Sequence, residues 1–449
     1  MSLRRVLDPR SVAVIGASRV ETKRGYQSIR TLTEDAYAGA IYPVNPREES
    51  VLGLRCYPDL AAIDGPVDLA LITTPARTIP AILEQCADKG VAGAVIIAGG
   101  FGEMGPEGKA LEKQLSEVAT RRGIRVIGPN TSGMINVNAQ LNLVGMPDVP
   151  RGEVALLSQS GNMALALVTE AARTGLQGFS CYVGVGNEAG IRFHEYLEYF
   201  RDDPRTRAVA MYVEGMHDGR SFLEVAQATT PHKPVVMLKS GRSERGRSSA
   251  GSHSGALAGS AEVARSALRR TGVVLVDEAD KLFPCAEALA SLPPLTNNRI
   301  AILADGGGHA TIAADALTDM GVEIPALGDD TQARLRSILP PAAAVANPID
   351  VAGATDADPT VFADVARILL EDEQVGGLLM VGLFGGYGIR FAAALAEDEQ
   401  RAARELGALL ASSGKPIVVH SMYDLDRPPS LAALRAGGIP VHGSVEVAS

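Results

Sequence analysis

A chain of 449 residues has room for roughly three domains at about 150 residues each, and with 46% hydrophobic but only 4% aromatic residues and no Trp its cores must be built mainly from Ala, Val, Leu and Ile. The net charge of −10 argues against whole-chain attraction to nucleic acid or an anionic membrane, so any anionic ligand would have to be held by local basic groups and helix termini. The four cysteines, Cys56, Cys86, Cys181 and Cys285, have no C-x-x-C spacing and imply neither zinc nor a disulfide framework.

The first residues, "MSLRRVLDPRSVAVIGAS", contain no apolar segment ahead of a cleavage site, and no run approaches about 18 apolar residues, which predicts a cytoplasmic location. Short apolar runs at 11–16 (SVAVIG), 67–73 (VDLALIT), 92–100 (AGAVIIAGG) and 124–128 (IRVIG) read as buried strands. Helical periodicity with glycine stops fills 75–90 and 105–123 between them. Apolar strands alternating with helices predict a parallel sheet covered on both faces. The proline-bearing stretches 145–152 (GMPDVPRG) and 291–298 (SLPPLTNN) read as boundaries. Beyond the first of these the same grammar repeats: 154–175 aligns without a gap on 300–321, each a strand, a small-residue turn and a helix ending in Gly. The expected domains are 1–148, 149–292 and 297–449, an α/β chain with one N-terminal domain and two related three-layer domains after it.

Chemistry is expected in the turns that follow strands. "VIGASRVETKRG" resembles a dinucleotide loop without being G-x-G-x-x-G: Gly16 and Gly25 are present, with Ser18 and Lys23 between them. The stretches 42–46 (YPVNP), 73–75 (TTP), 98–103 (AGGFGE) and 128–133 (GPNTSG) each follow a strand, so all would line one crevice at the strands' carboxyl ends. No acid occupies the ribose-binding position, which disfavours NAD and, with it, a dehydrogenase. In the second domain, "LSQSGN" opens a helix whose free N–H groups and positive dipole end suit a phosphate. "ADGGGH" at 304–309 supplies the same element, although each turn could instead serve only close helix-on-strand packing. Glu214 ends the apolar strand of "MYVEGM" and could hold the Nδ1–H of an imidazole, leaving Nε2 as nucleophile. His253 stands in the Ser/Gly/Ala run "SSAGSHSGALAGS", downstream of Lys239, Arg242, Arg245 and Arg247. That segment reads either as an ordinary solvated loop or as an anion-collecting loop around a phosphohistidine. His309, at a helix start, is the rival imidazole.

Taken in order, "SVAVIGAS", "YPVNP…LG…CYPDL", "VDLALITTPA", "GPNTSGMIN", "SQSG", "GNEA", "YVEG", "KPVVMLKSGRS…G…SHSGALAGS" and "NPID" resemble the NDP-forming acyl-CoA synthetase family, relatives of succinyl-CoA synthetase, over nearly the whole chain. The resemblance implies a Rossmann-like coenzyme A (CoA)-binding domain followed by two flavodoxin-like ligase domains with parallel sheets. It implies an acid–thiol ligase that exchanges acyl-CoA and phosphate for an acyl phosphate and passes the phosphoryl group to a histidine. The phosphorylated histidine falls on His253 and its orienting glutamate on Glu214. The phosphate turns fall on Ser160 and Gly161 and on Gly306, Gly307 and Gly308. The CoA contacts fall on Gly16, Ser18, Lys23, Val44, Asn45, Pro46, Thr73, Thr74, Pro75 and Asn130. No metal ligand is expected on this chain. No ATP-grasp segment follows "VHGSVEVAS", so the resemblance implies a separate ATP-grasp β partner in a heterotetramer, with ADP or ATP and Mg²⁺ bound there. Serine in "HSG" replaces the family's usual threonine and keeps the hydroxyl. Gly190 stands where relatives commonly carry Asp, near the family's acyl site. The alternative is a non-catalytic sensor of CoA or acyl-CoA that keeps the fold without the partner.

Overall fold

Buried Val, Ile, Leu and Ala run without interruption through the central strands, as a sheet covered on both faces requires. The computed structural model describes residues 3–174, 178–246 and 261–449. It divides into two compact units: Met1–Ala172 with Gln177–Ala286, and Arg173–Leu176 with Glu287–Ser449.

The first unit holds two sheets. In the first, β1 (Ser11–Ile15), β2 (Ala40–Val44), β3 (Leu69–Ile72), β4 (Gly93–Ile96) and β5 (Arg125–Ile127) lie parallel in the order β2-β1-β3-β4-β5. Helices Arg24–Glu34, Ile79–Asp88 and Pro106–Arg122 connect them. The last ends at Gly123, whose φ of +70° closes the helix in the left-handed conformation that glycine adopts freely.

The second sheet contains β6 (Met134–Asn136), β7 (Leu141–Asn142), β8 (Arg151–Ser158), β9 (Phe179–Gly184), β10 (Ala208–Val213), β11 (Val235–Lys239) and β12 (Val274–Val276). Their order is β12-β11-β10-β8-β9-β6-β7. Strands β8 to β12 are parallel, and the β6–β7 hairpin adds an antiparallel edge. Leu7, Val14, Leu71, Val95, Leu143, Leu157, Tyr196 and Met211 belong to one continuous core that serves both sheets. Ile72, Leu83, Ile96, Phe101 and Leu115 form the core on the other face of the first sheet. Asn136 joins the hairpin to the N-terminus by donating to the Leu7 carbonyl at 2.8 Å.

In the second unit, β13 (Ile300–Ala304), β14 (Ile349–Asp350), β15 (Gly377–Gly382), β16 (Ile417–Ser421) and β17 (Val441–His442) are parallel in the order β14-β13-β15-β16-β17. Phe362, Phe384 and Tyr387 anchor its core with edge-on ring contacts.

Counting parallel strands within each sheet, all three share the order 2-1-3-4-5 of doubly wound, flavodoxin-like sheets. The chain therefore changes direction across each sheet between its first and third parallel strands, β1/β3, β8/β10 and β13/β15. The turns leaving those pairs border the crevice in which such sheets bind ligands. The aligned stretches 154–175 and 300–321 supply the first strand and following helix of their respective sheets. No helix among the described residues is long and apolar enough to cross a membrane.

Candidate functional site

In the first sheet the switch lies between Gly16 and Thr73. Gly16 has φ of +91°, and a Cβ there would lie 2.5 Å from Thr73 Oγ1. Thr73 donates its hydroxyl to the Ile15 carbonyl at 3.0 Å. The Val44 carbonyl accepts from Gly16 N–H at 3.0 Å and Ala17 N–H at 3.3 Å. Asn45 closes the turn by donating Nδ2–H to the Ala17 carbonyl at 2.6 Å. Ser18 accepts from Val20 N–H at 3.1 Å, and Lys23 precedes the first turn of helix Arg24–Glu34 with its side chain exposed. Asn130 N–H donates to the Ala98 carbonyl at 2.9 Å. The structure thus brings Gly16, Ser18, Asn45 and Thr73 together, places Pro46, Thr74 and Pro75 on the adjoining turns, and sets Asn130 beyond β4. Arg24 ties the crevice to the second sheet's approach: its guanidinium donates to the Val144 carbonyl at 2.6 Å and to the Ser132 carbonyl.

In the second sheet Ser160 and Gly161 follow β8, and Glu214 follows β10. Ser160 Oγ accepts from Met163 N–H at 3.3 Å, so its hydroxyl acts as a helix cap; Ser160 N–H donates to Ser158 Oγ at 3.2 Å, so the N–H groups at the start of the helix, from Gly161 on, are what the turn offers an anion. Gly161 abuts Ser132, whose Cβ would lie 2.9 Å from an added Cβ. Gln159 joins the two predicted elements. Its Oε1 accepts from Glu214 N–H at 2.6 Å and Gly215 N–H at 3.0 Å, while its Nε2 donates to the Gly215 carbonyl at 2.9 Å. Tyr212 and Glu214 share a side-chain hydrogen bond. His253 and Arg247 lie outside the described residues.

The basic residues before His253 do not all face solvent. Lys239 donates to the carbonyls of Glu214 at 2.6 Å and Ser240 at 2.8 Å, and burial pushes its pKa down. Arg242 pairs with Asp277 at 2.9 Å. Lys239 is thus a brace for the Glu214 turn, a role that the charge pattern alone did not reveal.

In the second unit Gly306, Gly307 and Gly308 open helix Gly307–Asp319. An added Cβ at Gly306 or Gly308 would meet nothing within 4 Å among the described residues, so helix-on-strand packing does not account for them. Asp305, just ahead, accepts from Leu383 N–H at 2.8 Å and the Tyr387 hydroxyl at 3.0 Å, and burial pushes its carboxyl up. The His309 ring lies 5.2 Å from that of His420. His420 accepts from Gly382 N–H at 3.2 Å through Nδ1, which assigns the proton to Nε2. Burial, then His309, pushes its pKa down to about 4. Among the described residues no group of three or more His, Cys, Asp and Glu side chains could hold a metal ion.

Gln159 was within view as part of "SQSG", but nothing in the sequence says that an amide there reaches a turn 55 residues away. Replacing Gln159 with Ala leaves two backbone N–H groups of the Glu214 turn without their acceptor, at a cost of about 1–3 kcal/mol. The expected result is a loosened Glu214 turn with the sheets intact, read as about tenfold or more faster amide exchange of the Glu214 and Gly215 N–H groups.

Three doubly wound sheets with these turns at their switch points define the frame, and the family models assign it to CoA ligases: a CoA binding domain matches residues 10–136, a succinyl-CoA ligase like flavodoxin domain matches 151–289, and a ligase-CoA domain matches 300–433. The chain is 38% identical to the acetate–CoA ligase [ADP-forming] II subunit alpha of Pyrococcus furiosus, over 97% of this chain and 93% of that one. It is 40% identical to the acetate–CoA ligase [ADP-forming] I of Archaeoglobus fulgidus, over 84% of this chain and 54% of that one. Among solved structures it resembles the dinucleotide forming acetyl-coenzyme A synthetase 1 of Ca. Korarchaeum cryptofilum, determined in complex with phosphate and ADP. The TM-score is 0.89 at 29% identity, covering 100% of this chain and 94% of that one. The chain belongs to the NDP-forming acyl-CoA synthetase family.

Proposed function

We propose that this chain is the α subunit of an ADP-forming acid–thiol ligase of the acetate–CoA ligase type, acting in the cytoplasm with a separate ATP-grasp β subunit. The observation that carries the reading is the Gln159 bridge, which holds the Ser160–Gly161 turn and Glu214 at one switch point. CoA lies in the first crevice, on Gly16, Ser18, Lys23, Val44–Pro46, Thr73–Pro75 and Asn130. Phosphate lies on the N–H groups of the Ser160–Gly161 turn, and Gly306–Gly308 form a second phosphate turn in the other unit. Phosphate attacks the thioester carbonyl, CoA leaves as the thiol, and an acyl phosphate forms. His253 then attacks phosphorus through Nε2, the carboxylate departs, and Glu214 holds Nδ1–H and steadies the imidazolium character that develops. The phosphoramidate passes its phosphoryl group to ADP on the β subunit, where Mg²⁺ accompanies the phosphates. A relative named as an α subunit matches over 97% of this chain and 93% of that one, which supports a β-subunit partner. The three-domain division at 1–148, 149–292 and 297–449 belongs to the same reading.

The test is reconstitution. Purified with a candidate ATP-grasp chain, the protein is expected to make ATP from acetyl-CoA, ADP and phosphate, and to yield an α₂β₂ mass. CoA binding without turnover in the reconstituted complex would select the sensor instead.

A further inference from the structure

The segment Gly186–Gly190 follows β9 and runs along the turn after β5. Asn187, Ala189 and Ile191 donate their N–H groups to the carbonyls of Pro129 at 3.0 Å, Gly128 at 3.1 Å and Val126 at 2.9 Å. Glycine bounds the run for a steric reason: a Cβ on Gly186 would overlap the Pro129 carbonyl oxygen, and one on Gly190 would lie 2.5 Å from that of Val126. The two polar side chains between them serve different partners. Asn187 gives Nδ2–H to Glu103 Oε2 at 2.6 Å and Glu112 Oε2 at 2.7 Å, and its Oδ1 accepts from Asn130 at 3.2 Å. Glu103 in turn accepts from Gly100 N–H at 2.6 Å. Asn187 is thereby tied to the carboxyl edge of the first sheet. Glu188, only 1% exposed, reaches the second sheet: Oε1 accepts from Phe193 N–H and Oε2 from His217 N–H, each at 3.2 Å. His217 lies three residues after Glu214. Glu188 holds φ at +58°, a conformation uncommon outside glycine that persists where its surroundings impose it.

We propose that Asn187 and Glu188 form a bracket between the CoA crevice and the Glu214 turn, with Glu188 as a positioning residue that holds the turn through the His217 amide. The proposal deepens the function proposed above and rests on it. Burial pushes the Glu188 carboxyl up to about 7, against the Phe193 and His217 N–H groups and Arg192, while Asp218 pushes it further up. The titratable groups facing it are Arg192 on its own turn, Tyr196 on the helix Phe193–Asp202, and His217 and Asp218 across the gap. Because the folded-state value is raised, the fold gains from the protonated form below the ordinary carboxylate range and loses that gain as pH rises through about 7. Ionisation in that window gives both oxygens to the two amides. Protonation converts one oxygen to a hydroxyl and loosens the hold.

The experiment compares the wild-type chain with Glu188→Gln, which keeps the shape but presents one NH₂ to an amide, and with Glu188→Asp, which keeps the charge. Amide exchange of the 214–219 segment is read on the full chain, and His253 phosphorylation on the complex with the β subunit, each at about pH 8.5 and about pH 5.5. At the higher pH the Gln variant is expected to exchange that segment, and to lose phosphorylation rate, by about tenfold, the effect of one lost hydrogen bond in a buried pair. CoA affinity should be unchanged. At the lower pH the two should converge, and Asp should recover part of the rate. Equal exchange in wild type and Gln variant at the higher pH, or a difference independent of pH, overturns the bracket. Altered exchange with unaltered phosphorylation overturns the positioning of Glu214. Wild-type protein that never phosphorylates His253 overturns the proposed function and the positioning with it, and the exchange data report separately whether the physical link exists.

Discussion

Replacing Gly25 with alanine is expected to remove most of the affinity for CoA while leaving the fold intact. Gly25 is the second residue of helix Arg24–Glu34, and a Cβ on it would overlap the Gly16 carbonyl oxygen and lie 3.1 Å from Ala17 Cα. Those atoms are backbone, so no side-chain rotation relieves the contact, and the Gly16–Ser18 turn must move away from the helix. The turn is clamped elsewhere, by the Val44 carbonyl and the Asn45 amide, so its displacement breaks the surface that the cofactor would meet. Repacking of this kind costs about 1–3 kcal/mol, equivalent to about 5- to 150-fold in a dissociation constant. Titration calorimetry with CoA measures it, and Gly53→Ala makes the control, because a Cβ there meets nothing within 4 Å among the described residues. Gly53 has φ of +80°, so its alanine carries backbone strain of its own, and a CoA affinity loss confined to the Gly25 variant separates turn displacement from general loosening.

The second large effect is expected at Glu214. Its backbone is held by Gln159 and Lys239 and its carboxylate by Tyr212, an arrangement that fixes where the charge sits. Glu214→Gln keeps the size and one acceptor but removes the negative charge that, in the proposed mechanism, stabilises imidazolium character on His253. A loss of about 10²–10⁴-fold in phosphoryl transfer is expected, the range associated with positioned proton-transfer groups. Rapid-quench labelling measures it. CoA affinity should not change, since the first crevice is untouched.

The fold was legible because its strands are continuous apolar runs and its helices end in glycine. Val12–Ile15, Leu69–Ile72 and Ala94–Ile96 are buried on both faces, which no alternating pattern could have suggested. The common strand order follows from repeated strand–turn–helix units under right-handed crossovers, and it explains why turns read as ligand loops fall at the switch points. Pairings between distant segments were less legible. The β6–β7 hairpin joins the second sheet through antiparallel bonds from Met134–Asn136 to Cys181–Val183, a choice of partner that short strands do not encode locally. Lys239 read as part of a basic loop, yet its ammonium caps buried carbonyls. Gly190 stood out as a departure from an acidic position. In this chain a side chain there meets the Val126 carbonyl, so the residue answers to backbone packing. Gln159, Asn187 and Glu188 draw their meaning from contacts made across 29 to 84 residues.

The proposed function turns on whether His253 carries a phosphoryl group. The most direct measurement incubates the chain and its ATP-grasp partner with γ-labelled ATP and Mg²⁺, then tests the protein-bound label for stability to acid and base. The wild-type chain is expected to carry an acid-labile, base-stable label that His253→Ala abolishes and added CoA with acetate discharges. A labelled His253→Ala chain, or an unlabelled wild-type chain in a complex that still binds CoA, would contradict the proposed function.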